Sequence, residues 1–173
     1  EHWVGEWIVD TEASRIGMQT LADLDDDGDL DFASGQRQVL PGGMVWWEQC
    51  TADHWVQHKV GTGHKSQSSG DALDVDGDGL NDLLAGDSWY KNPGKSREMP
   101  WPRFSVGTPN AEELTVGDVT GNGLADVLAR TPAGAMRLYP NTGDLAKVFA
   151  AAQQVGASGW QRLAPLTMGD VNG

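Results

Sequence analysis

The sequence is short of several things. It has one cysteine in 173 residues, so no internal disulfide can form, and CxxC metal spacing is absent. No apolar run approaches the roughly 18 residues that a bilayer-crossing helix needs. Positive charge is scarce: 12 Lys and Arg stand against 25 Asp and Glu, for a formal net charge of −13. That excludes general nucleic-acid binding, which relies on clustered cations against phosphate. The chain opens at Glu1 with neither Met nor a signal-like stretch, the pattern expected of a processed or trimmed chain. It does have eight Trp and 39% hydrophobic residues, enough to build a core.

The acid is unevenly spread. One cluster runs Asp23-Leu24-Asp25-Asp26-Asp27-Gly28-Asp29-Leu30-Asp31. A second runs Asp74-Val75-Asp76-Gly77-Asp78-Gly79-Leu80-Asn81-Asp82, and a third Asp118-Val119-Thr120-Gly121-Asn122-Gly123-Leu124-Ala125-Asp126. A fourth opens as Asp170-Val171-Asn172-Gly173. These segments hold 13 carboxylates, and the remaining 12 acids equal the 12 basic residues. The net charge is therefore the charge of the loops.

Like charges held this close repel unless something compensates. Oxygens at positions 1, 3 and 5 can turn inward on one hard cation, and Gly at position 6 permits the sharp turn. Ca2+ takes six to eight oxygens at about 2.3–2.6 Å, whereas Mg2+ tolerates a flexible cage poorly. A solvated acidic turn would explain one such segment, since Asp, Asn and Gly form turns readily. It does not explain recurrence at matched spacing. The loop is not an EF-hand. Position 12 is Ser34, Ala85 or Ala129 rather than Glu, and the last carboxylate falls at position 9. Short apolar runs follow each loop and read as buried strands.

The first loop positions are spaced by 51, 44 and 52 residues. Val9, Val60, Val106 and Val155 keep step ahead of the loops, as do Trp3, Trp55 and Trp101. Val45-Trp46-Trp47-Glu48, Ser88-Trp89-Tyr90-Lys91 and Arg137-Leu138-Tyr139-Pro140 each follow a loop. Each unit thus predicts about four short strands, the signature of a β-propeller blade. Ala146 to Gln154 has some helical character, but its place before Val155 predicts an outer strand.

At these residues the chain resembles the FG-GAP/VCBS repeat, the integrin-like propeller blade, and is similar to repeats of secreted actinobacterial proteins. The motifs are the second loop followed by Trp89-Tyr90-Lys91-Asn92-Pro93-Gly94, and the third followed by Leu138-Tyr139-Pro140-Asn141-Thr142-Gly143. The resemblance implies an all-β propeller of four-stranded blades, extracellular, with one structural Ca2+ per complete loop. It implies that positions 1, 3, 5 and 9 are ligands, with the position 7 carbonyl. These are Asp23, Asp25, Asp27, Asp29 and Asp31; Asp74, Asp76, Asp78, Leu80 and Asp82; Asp118, Thr120, Asn122, Leu124 and Asp126; and Asp170 and Asn172 in the incomplete loop. Thr120 and Asn122 replace two carboxylates, so the third loop is expected to bind more weakly. Residues 1–173 would be a partial propeller of about three and a half blades. Further blades, from a longer chain or another subunit, would close the ring.

Catalytic signals are thin. His2, His54, His58 and His64 belong to no nucleophile-elbow pattern. His54 and His58 in a strand would stand about 13 Å apart, too far to share a metal. Cys50 has no evident neighbouring base. The recurring Trp are expected to pack between blades, with Trp7 and Trp160 the better candidates for exposure. The expectation is a binding or adhesion module for a glycan or protein surface, without nucleic acid or a membrane span. The alternatives are the propeller of a polysaccharide lyase or glycoside hydrolase, or a structural accessory domain of a secreted enzyme.

Overall fold

Pairing in strict chain order divides the protein into three sheets. The computed structural model describes residues 16–36, 43–62, 70–94, 100–108, 111 and 113–160. The first sheet comprises β1 (Ile16–Ala22), β2 (Asp31–Gln36), β3 (Gly43–Thr51) and β4 (His54–Thr62). The second comprises β5 (Gly70–Leu73), β6 (Asp82–Ala85), β7 (Ser88–Tyr90) and β8 (Arg103–Ser105). The third comprises β9 (Glu113–Gly117), β10 (Asp126–Arg130), β11 (Met136–Tyr139) and β12 (Gln153–Gly156). Every pair is antiparallel, and among the described residues the sheets do not close into a ring. The outer strand expected near Val155 is β12; residues 144–147 form only a turn before it. Trp3, Trp7, Val9, His2, His64, Asp170 and Asn172 lie outside the described residues.

The acidic segments connect the first strand of each sheet to the second. Position 10 of each loop fixes the register of the third strand: Phe32 faces Trp47, Leu83 faces Tyr90, and Val127 faces Tyr139. After the loop the chain is apolar without alternation, as strands covered on both faces require. Leu83 and Ala85 point into a core shared with the first sheet, beside Trp46, Met44 and Val60. Leu84, between them, points into a second core with Trp89, Val127 and Tyr139. The period of two in a strand thus splits one short segment between two cores. The first strands also lie side by side, β1 next to β5 and β5 next to β9.

Of the recurring Trp, Trp46, Trp47, Trp89 and Trp101 are buried. Trp160 is exposed, as its place outside the repeat predicted. Two recurring rows show where the stack is open. Leu24 and Val75, at loop position 2, are 2% and 1% exposed, while Val119 at the same position is 48% exposed. Val60 and Val106 are buried, whereas Val155 is exposed. In both rows the uncovered residue belongs to the third sheet.

Candidate metal centre

Each loop is built by its first carboxylate. Oδ1 of Asp23 accepts the backbone N–H groups of Asp26 and Asp27 at 2.8 and 3.2 Å, and Oδ2 accepts that of Gly28 at 3.0 Å. Asp74 does the same for Gly77, Asp78 and Gly79. Asp118 repeats the set with Gly121, Asn122 and Gly123. Position 5 then accepts the N–H of position 7: Asp27 from Asp29, Asp78 from Leu80, and Asn122 from Leu124. Gly28, Gly79 and Gly123 all have positive φ at position 6, where an L side chain is disfavoured. A carboxylate offers about four acceptor sites, so three N–H bonds leave position 1 with one lone pair free for a cation.

The structure brings positions 1, 3 and 5 together. Carboxylate oxygens of Asp23, Asp25 and Asp27 lie within 4.8 Å of one another, and those of Asp74, Asp76 and Asp78 do likewise. The Asp76 side chain is 2% exposed, and its Oδ1 is buried with no hydrogen-bond partner. A buried anionic oxygen left unsatisfied is costly, and an all-oxygen donor set of this kind suits a hard divalent cation. The residues present therefore fit calcium.

Position 9 is more deeply buried than the residues of these clusters. Asp31, Asp82 and Asp126 are at most 1% exposed. Each carboxylate ties its own loop to the third strand or to the residues just after it. Asp31 accepts N–H groups from Leu24 and Gln49, Asp82 from Val75 and Asn92, and Asp126 from Val119, Thr120 and Asn141. Burial pushes the Asp82 carboxyl up to about 6, against the lowering effect of the Asn92 N–H. Burial also raises Asp31. The sequence marked position 9 by its recurrence; its partners beyond the loop lie 10 to 18 residues further on and carry no acid motif.

Two sets of residues were not singled out from sequence as functional. Asn92 donates its side-chain amide to the Leu24 carbonyl of the first sheet and to Asn81. Asn141 donates to the Val75 carbonyl of the second sheet and to Ala125. Each Asn thus joins a loop to the next sheet, and the recurring Asn-x-Gly was the signal available. The glycine of that motif is needed where it packs on the loop: a Cβ on Gly143, at φ 71°, would stand 3.1 Å from Leu124 Cδ1. The second residue missed is Lys91. Its ammonium bridges Asp76 Oδ2 and Asp78 Oδ2, the latter at 2.6 Å. Burial opposes the shift, yet the Lys91 contact holds Asp78 below the usual carboxylate range and Lys91 above its own.

The third loop is arranged differently. Asn122 turns its amide to the Asn141 carbonyl at 2.9 Å, so part of this site is satisfied by the chain itself. Elsewhere, His58 pairs with Glu48 at 2.7 Å and stacks on Trp46, while His54 is exposed. Cys50 is exposed at the end of β3. A cavity of about 250 Å³ lies between the second and third sheets, lined by Trp89, Phe104, Lys147 and Phe149 among others. Phe104 stacks on Trp89 with ring centroids 4.6 Å apart and is partly exposed. Among the described residues no helix is long and apolar enough to cross a membrane.

No curated protein and no solved structure matches the chain. Residues 74–129 match the FG-GAP-like repeat family, a span that runs from the first residue of the second loop to the strand behind the third. Over that span the chain is similar to an FG-GAP-like repeat.

Proposed function

We propose that the three sheets are blades of an extracellular, calcium-stabilised β-propeller that serves as a binding or adhesion module. Its ligand would be a glycan or a protein surface. The reading rests above all on one observation: the same loop, with the same hydrogen bonds around its first carboxylate, recurs at the same place in three sheets. Positions 1, 3 and 5 and the position 7 carbonyl would face the ion. Position 9 closes the loop behind them. Because Asn92 and Asn141 tie the loops to neighbouring sheets, holding a loop closed also holds the stack together. In this reading residues 1–173 form part of a ring, and the exposed Val119 and Val155 mark where a further blade would pack, from a longer chain or another subunit. The cleft beside Phe104 is the first surface to probe for a ligand, since an exposed aromatic face can stack on a sugar ring.

Calcium at about 100 times its Kd would add roughly 2.7 kcal/mol per site. Thermal melting in calcium and in EGTA tests the metal. The melting temperature should rise with calcium and fall back with chelator; identical curves would sink that part. A glycan array run in both conditions tests the ligand, and an array blank in calcium would rule out a glycan and leave a protein surface.

A further inference from the structure

We propose that Lys91 is the resident counter-cation of the second loop, and that calcium enters this loop only by displacing it. The proposal rests on the calcium reading above and adds that the three loops respond unequally.

The comparison is fixed by register. In each sheet the aromatic residue paired with loop position 10 is followed by one residue, and then by the residue whose N–H reaches the position 9 carboxylate. That intermediate residue is Glu48 in the first sheet, Lys91 in the second and Pro140 in the third. One structural position therefore carries an acid, a cation and a neutral residue. Only the cation can stand in for a metal.

Lys91 makes the contacts that such a role requires. Its Nζ reaches Asp76 Oδ2 and Asp78 Oδ2, carboxylates at positions 3 and 5 of one cluster. The substitution is incomplete. A single ammonium leaves Asp76 Oδ1 buried and without a hydrogen bond, whereas a divalent ion with six to eight oxygen ligands can engage both oxygens. The Lys91 side chain is 31% exposed, so it can swing into water on a flexible stem when the ion arrives. Ligand charge alone would favour the first two loops over the third. With Lys91 counted, the first loop should fill at the lowest calcium concentration, and the second should follow only when the ammonium is driven out.

Two measurements test this. The first needs no mutation. Amine-reactive labelling of the native protein, read at Lys91 by mass spectrometry, should increase severalfold in calcium over EGTA as the ammonium leaves its carboxylates. Unchanged or reduced labelling, in protein whose melting temperature calcium does raise, overturns the proposal. The second is calorimetric titration of Lys91→Met, with Lys91→Arg as a charge-retaining control. Lys91→Met should melt lower than the native protein in EGTA. One calcium step should tighten on the order of tenfold, the scale of a unit charge beside a divalent ion in water. The Arg control should melt close to the native protein in EGTA. Calcium binding by Lys91→Met with native affinity at every step overturns the proposal and leaves the calcium reading intact. Absence of any calcium response in native protein and variants overturns both.

Discussion

The side-chain amide of Asn92 donates to the backbone carbonyl of Leu24 at 2.9 Å, across 68 residues of sequence. Asn141 makes the same bond one sheet later, to Val75 at 2.7 Å. The acidic loop of one sheet is therefore anchored by an uncharged side chain of the next. Asn92→Ala should lower stability by about 1–3 kcal/mol, because it leaves the Leu24 and Asn81 carbonyls short of a partner in a buried place. Asn92→Asp should cost at least as much, since it sets an acceptor against two acceptors. Urea unfolding would check both, and a loss within error for Asn92→Ala would mean the sheets do not depend on this bond.

Positions 3 and 9 of the second loop should behave differently on mutation. Asp76→Ala removes a member of the oxygen cluster, so it should lower the melting temperature more in calcium than in EGTA, where only its contact with Lys91 is lost. Asp82→Asn removes an acceptor that holds the loop to Asn92 and Val75, so it should lower the melting temperature in both conditions. Melting each variant with and without chelator separates the roles. A calcium-only effect of Asp82→Asn would make position 9 chiefly a ligand.

Position 2 should show how the stack ends. Val75→Ser places a hydroxyl in a closed apolar core and should cost roughly 2–3 kcal/mol. Val119→Ser, at the equivalent and exposed position, should stay within about 0.5 kcal/mol. Equal losses in chemical denaturation would mean that Val119 is covered in solution.

Position 4 of the first loop carries a removable strain. Asp26 has φ 62°, where the second and third loops use Gly77 and Gly121. Asp26→Gly suits the left-handed backbone and removes one like charge. It should stabilise by about 0.5–1 kcal/mol, less than the 1–2 kcal/mol per residue of the full left-handed penalty because Asp tolerates this region. A lower melting temperature for Asp26→Gly in EGTA would contradict this.

The metal-free protein should have an inverted pH response. Burial raises Asp31 and Asp71, and it raises Asp82 from 3.8 to about 6. Between the unfolded and folded values the native state binds more protons than the unfolded state, so stability falls as pH rises through that window. In EGTA, melting temperature should therefore be higher at pH 5 than at pH 7. Asp78 works in the opposite sense, but its contribution is lost only as the pH falls below its unfolded value of 3.8, outside this range. Melting temperatures that fall between pH 7 and pH 5 in EGTA would show that other groups control the response.

Much of the architecture was legible in the chain. The loops recur at nearly fixed spacing with Gly at position 6, and short-range chemistry of this kind is written in consecutive residues. Asp23, Asp74 and Asp118 each fold their own loop through N–H groups three to five residues ahead, so their place could be read without knowing the rest. The apolar runs after position 9 announced strands covered on both faces for the same reason.

What the sequence determined by itself was the repeat: four strands, an acidic turn and an aromatic third strand, three times over. Only the tertiary structure decided which acids share a cluster and which pin the backbone, since Asp76 and Asp82 are the same residue type six positions apart. It alone set Lys91 against Asp76, and left Val119 bare where Val75 is covered. Those outcomes depend on which sheet packs against which. Burial and charge pairing between distant segments are properties of that packing, and a linear spacing does not contain them.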